Sequence, residues 1–135
     1  VALTAPNDLS VTDFVNAVPD PRRRAETASA VATITAATGA TPVMWGSAII
    51  GFGTYTYKYE SGRTGDWMVI GVSPRKAALT LYLAGGKDES ADFLARIGPH
   101  TTGKGCIYLK SWDEQVLSEM ATDVMRRYDG QTLSR

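Results

Sequence analysis

One cysteine, one histidine and no excess of charge of either sign set the first limits on this chain. A lone cysteine cannot close an internal disulfide, which fits a reducing compartment. Fourteen basic residues balance fourteen acidic ones, so the electrostatic footprint of a nucleic-acid binder is missing and that partner is disfavoured. No uninterrupted apolar run approaches the ~18 residues of a spanning helix, so no membrane partner is expected. The opening VALTAPNDLS has no basic region followed by an apolar stretch. No signal peptide is expected from it, and cytoplasmic placement is the default. The chain does not begin with Met, which leaves a trimmed start open.

What is present points to one globular domain over residues 1–135. A hydrophobic content of 44% and a charged content of 21% argue against disorder and coiled coil. The single basic cluster, Arg22-Arg23-Arg24, reads as a solvated helix face rather than a nucleic-acid arm. The first third is helical in pattern. Ser10 can cap a short helix with Asp13 three residues on, and Pro19 stops it. Asp20 and Pro21 restart one as N-cap and first helical residue, with Ala28, Val31, Ala32, Ile34 and Thr35 near helical spacing and Gly39 as the stop.

From Met44 the apolar period changes to two, and about five strands are expected. They cover Trp45–Ile50, Thr54–Glu60, Trp67–Ser73, Ala77–Leu83 and Cys106–Lys110, with Gly51-Phe52-Gly53 read as a bend between the first two. A short helix over Glu89–Ile97 ends at Gly98-Pro99. The last helix is expected to start from a Ser111–Glu114 capping box, bury Val116, Leu117, Met120 and Val124, and end at Gly130. The expected class is α+β, a curved antiparallel sheet with two N-terminal helices and a C-terminal helix packed on it.

PHTTGKGCIYLK, from Pro99 to Lys110, holds both His100 and Cys106 and invites three kinds of chemistry. Gly98 to Gly105 comes within one residue of G-x-x-x-x-G-K-[ST], but Gly105 replaces the Mg²⁺-holding hydroxyl. The run also follows a helix and precedes a strand, the reverse of a phosphate loop. A thiol nucleophile needs thiolate character, a base and an orienting group, and the third has no readable position here. One His and one Cys leave two zinc ligands to find, with no short ligand spacing. No catalytic residue, metal ligand or cofactor is therefore assigned, and His100 is expected on a loop tip.

The segment MWGSAIIGFGTYTYKYESGRTGDW is more informative. Tyr55, Tyr57 and Tyr59 alternate with Thr56 and Lys58, so the three phenols are expected on one face. If Ile107, Leu109, Leu79, Leu81, Leu83, Met68 and Ile70 face the helices, the other face collects Tyr82, Trp67, Cys106, Tyr108 and Lys110. A second face rich in amphipathic rings asks for a cover or a ligand. The cover can be loops, the N-terminal helices or a second copy in a homodimer. The ligand reading is a groove for a small aromatic or amphipathic molecule, with Lys104, Lys110, Arg63 and Arg75 near its rim.

The order of W-G, G-F-G, Y-x-Y, S-G-R, S-P-R-K and G-K-G-C-I-Y-L-K, from Leu9 to about Tyr128, resembles the YdhG-like family of bacterial domains of unknown function. Trp45, Gly46, Phe52, Tyr55, Tyr57, Arg63, Pro74, Lys76, Lys104, Cys106, Tyr108 and Lys110 are among the matching residues. The resemblance implies a compact α+β domain with helices on one side of a curved sheet, and no established reaction. It also brings a second hypothesis, intracellular iron delivery in a frataxin-like role. The compact acidic surface for that role would be Asp113, Glu114, Glu119 and Asp123. The leading expectation is a non-enzymatic module that binds a small molecule or a protein. Its candidate residues are Trp45, Tyr55, Tyr57, Arg63, Trp67, Tyr82, Lys104, Cys106, Tyr108 and Lys110. A small enzyme of unrecognised type, resting on Cys106 or Lys104, is the third.

Overall fold

The computed structural model describes residues 4–134; Val1, Ala2 and Leu3 of the opening stretch, and Arg135, lie outside them. The first helix, α1 (Val11–Asn16), starts where Ser10 Oγ accepts from the Asp13 amide at 3.1 Å. The second, α2 (Pro21–Thr38), is capped by Asp20, whose carboxylate accepts from the Arg23 amide, and ends at Gly39 with φ +72°. Its inward face differs from the expected one. Thr27, Ala30 and Ile34 are buried, with Val31 and Ala37 against the core, while Ala28 and Ala32 are exposed. A helix built of alanine and threonine has no single apolar stripe, so packing chooses the face.

The basic cluster also divides. Arg22 is solvated, but Arg23 reaches the Arg75 carbonyl at 3.1 Å and Arg24 reaches the Val18 carbonyl at 2.9 Å. Arg23 thus ties α2 to the turn after β3 and Arg24 ties it to the α1–α2 link, a correction to the solvated-face reading.

Seven strands are present among the described residues rather than about five: β1 (Val43–Trp45), β2 (Ile49–Lys58), β3 (Thr64–Pro74), β4 (Leu79–Leu83), β5 (His100–Gly103), β6 (Cys106–Leu109) and β7 (Thr132–Ser134). Their order is β1-β2-β3-β4-β6-β5, with every pairing antiparallel except β7, which runs parallel to the second half of β2. The expected first strand is in fact a hairpin. Gly46, with φ +63°, turns the chain so that Trp45 pairs with Ile49. Gly51-Phe52-Gly53 is no bend between strands but the middle of β2. His100 lies on edge strand β5, not on a loop tip, because Lys104-Gly105 closes a β5–β6 hairpin.

The expected Glu89–Ile97 helix is two short ones, α3 (Gly86–Glu89) and α4 (Ala91–Ile97), broken at Ser90. The last helix, α5 (Glu114–Tyr128), is capped by Asp113 and not by Ser111. Asp113 Oδ1 accepts from the Val116 amide at 3.0 Å, while its own amide donates to the Ile97 carbonyl at 2.8 Å. Ser111 and Trp112 are held against Gly98 at the end of α4, so the chain turns helical only after them.

Helices α2 and α5 pack side by side on the sheet. Ile50, Phe52, Ile70, Val72, Leu79, Leu81, Leu83, Ile107 and Leu109 meet Ala30 and Ile34 of α2, and Val116, Leu117, Met120, Ala121 and Val124 of α5, in one core cluster. The expected alternation therefore holds in β4 and β6.

It fails in β2 and β3. Phe52 pairs with Ile70 and Thr54 with Met68, but no pair joins Gly53 to Val69. Gly53 takes φ +69°, and a Cβ there would lie 2.7 Å from Met125 Sδ and 2.8 Å from Asp129 Oδ1 of the α5 terminus. Successive residues Val69 and Ile70 both enter the core, while Met68 does not. Met68 sits instead with Trp45 over the Gly51–Gly71 pair, where missing side chains leave room for indole and thioether. The sequence expectation that Met68 faces the helices is thus corrected by the kink at Gly53.

Candidate ligand groove

The β2–β3 ribbon outruns its neighbour. Strand β4 pairs with β3 only from Ile70 to Pro74, whereas β2 and β3 stay paired out to Lys58 and Thr64. The overhanging end carries Tyr55, Tyr57 and Trp67, and the 59–63 turn adds Tyr59. That turn is closed by Tyr59 donating its amide to the Arg63 carbonyl at 2.8 Å. On the open edge of the ribbon, Thr56 donates to the Gln131 carbonyl at 2.8 Å and β7 follows alongside.

The angle between this overhang and the end of β4 is a groove of about 580 Å³. Tyr55, Tyr57, Tyr59, Trp67 and Tyr82 line it, with Leu83, Gly85, Gly86, Gly105, Leu133 and Ser134. The rings support one another. Tyr57 and Tyr59 meet edge to face at 5.4 Å, and Trp45 meets Trp67 edge to face at 5.8 Å. The Tyr57 phenol lies across Gly65, in space that a Cβ would occupy. Arg75 Nη2 donates to Tyr82 Oη at 2.6 Å and fixes that ring from its outer end.

The ten expected site residues separate into groups. Tyr55, Tyr57, Trp67 and Tyr82 line the groove. Tyr55 is more buried than a shared open face would make it, at 6% exposure, because its ring packs against Tyr128 of α5. The three phenols therefore do not stand equally open on one face: Tyr55 is buried, Tyr57 is half-buried and Tyr59 is exposed. Trp45 is buried behind Trp67 and does not line the groove. Arg63 stands over the Tyr59 ring at 5.8 Å, outside the groove. Lys104 and Cys106 line a second hollow of about 340 Å³ that shares Leu83, Gly85, Gly86 and Gly105 with the first. Tyr108 and Lys110 line neither hollow.

Sequence reasoning left Tyr59 out of the site and missed Gly85-Gly86, Lys87 and Leu133. The glycine pair directly after an apolar strand was a usable signal. Leu133 had none, because its place depends on how α5 ends.

Beside the groove, Cys106 Sγ lies 3.0 Å from Tyr108 Oη. This contact with the thiol holds the Tyr108 pKa above the usual phenol value, with Tyr82 adding to the shift and Arg75 opposing it. The acids of α5 are occupied elsewhere. Asp113 caps the helix, Glu114 accepts from Ser29 at 3.0 Å, Glu119 faces Arg96 and Asp123 holds Arg126 and Arg127. Among the described residues, no three His, Cys, Asp or Glu side chains gather to hold a metal ion. No helix among them is long and apolar enough to cross a membrane.

A scan against family models, a search of curated proteins and a search of solved structures each gave no match to this chain.

Proposed function

We propose that the protein is a non-catalytic binding module whose ligand is a small planar aromatic molecule held between the β2–β3 overhang and the end of β4. The observation that carries this is the convergence of five aromatic rings on one groove of about 580 Å³. That volume lies within the ~300–1,000 Å³ usual for small-molecule sites. Ring pairs contribute roughly 0.5–1.5 kcal/mol beyond their buried area, and they favour offset or edge contacts that a planar guest can join. The half-buried indole of Trp67 supplies the largest apolar surface among these rings.

The order of motifs from W-G to G-K-G-C-I-Y-L-K supports placing the chain beside the YdhG-like domains. A cytoplasmic setting accords with its single free thiol, Cys106.

Thermal denaturation against a panel of indoles, phenols and benzoates tests the reading. A ligand that binds only the folded state stabilises it by RT ln(1 + [L]/Kd), about 2.7 kcal/mol at a hundredfold excess over Kd. Saturable shifts are expected for several members and should disappear in Trp67→Ala. A panel that moves neither Tm nor tryptophan emission removes this function.

A further inference from the structure

The second hollow adjoins the aromatic groove and is lined by charged side chains. Two loops meet there: Gly85-Gly86-Lys87-Asp88 after β4, and Gly103-Lys104-Gly105 at the β5–β6 turn. Two ammonium groups and one carboxylate line it. Neither Lys87 nor Lys104 has an ion pair or hydrogen bond among the described residues. Two other cations near the groove are engaged, Arg75 with Tyr82 and Arg63 with Tyr59. The cavity walls are bare because Gly86 (φ +70°) and Gly105 (φ +79°) hold left-handed conformations that other residues resist. The two hollows adjoin, because Leu83, Gly85, Gly86 and Gly105 line both of them.

We infer that the groove selects small aromatic anions, with the ring between Tyr57, Trp67 and Tyr82 and the acidic group in the hollow of Lys87 and Lys104. This rests on the aromatic-groove reading and adds the ligand's charge to it. A lysine ammonium is a strongly hydrated point charge on a flexible stem, suited to a terminal anion and indifferent to its exact shape. A carboxylate and a phosphate monoester therefore satisfy the same chemistry.

Matched probes separate charge from ring. Isothermal titration with indole, indole-3-acetate and tryptamine, and with phenol and phenyl phosphate, is expected to give a clear order. Each anion should bind about tenfold tighter than its neutral partner, as two partly exposed charge pairs allow, and tryptamine should bind weakest. The preference should shrink as salt rises. It should fall to within about twofold in the double variant Lys87→Gln/Lys104→Gln, whose side chains are exposed, and persist in Lys110→Gln. The gain of indole-3-acetate over indole, set against the gain of phenyl phosphate over phenol, shows which acid fits better, and either order supports the inference. Equal binding of neutral and anionic probes, or a preference unchanged in the double variant, overturns it while leaving the aromatic groove standing. Binding by none of the probes overturns both.

Discussion

The two halves of strand β2, Ile-Ile-Gly-Phe before Gly53 and Thr-Tyr-Thr-Tyr-Lys after it, have different fates. Before Gly53, Ile50 and Phe52 face α2 and α5, and Trp45 and Met68 fill the space over Gly51, so both sides of the strand are closed. After Gly53 the strand leaves the shelter of β4; Tyr55 is still buried against Tyr128, but Tyr57 is half-buried and Tyr59, in the turn beyond the strand, is exposed beside a groove. The first half carries stability because its side chains are out of water. The second half has surface left over for a ligand. One residue with φ +69° marks the boundary.

This division predicts unequal responses to substitution. The largest belongs to the closed half. Phe52 is fully buried, so Phe52→Ala should cost about 3–5 kcal/mol in urea denaturation, a large share of a typical domain's stability. A loss under about 1 kcal/mol would mean that the helix-covered half is not the stabilising one.

At the boundary, Gly53→Ala combines a disfavoured backbone with contacts to Met125 and Asp129, for an expected cost of about 1–3 kcal/mol. It should also weaken aromatic binding, because the same kink sets the overhang beside β4. Unchanged affinity in a destabilised Gly53→Ala protein would separate the fold's kink from the groove.

The smallest effect lies where α5 meets the groove floor. Burial first, and the charge of Glu89 next, raise the Tyr128 pKa, with Arg127 opposing. The folded state thus holds this proton more tightly than the unfolded chain. Its contribution is complete below about pH 10 and lost as pH rises through the raised folded value. Tyr128→Phe should therefore show a shallower decline in stability above about pH 10 than the parent protein, and an equal slope would deny the shift.

Much of this arrangement was legible in the residues. Asp20-Pro21 and Gly39 bound α2 because caps act within one turn. Leu79, Leu81 and Leu83, like Ile107 and Leu109, show their faces because uninterrupted strands alternate. The misses share a cause. Ser111 and Asp113 both satisfy a local cap pattern, and contacts with Ile97 and Gly98 choose between them. Met68 and Tyr55 were misplaced because the alternation rule assumes an unbroken strand, and β2 kinks at Gly53, where the α5 terminus lies against it.

By itself, then, the sequence determined the class of the fold, its helix caps and the concentration of aromatic residues in one segment, all properties of short-range spacing. Tertiary structure decided which rings are buried and which line the groove. It also decided that β7 runs beside β2 and that two glycine-flanked lysines, distant in sequence, share one hollow. Those outcomes depend on where separate elements end relative to one another, and no local period encodes that.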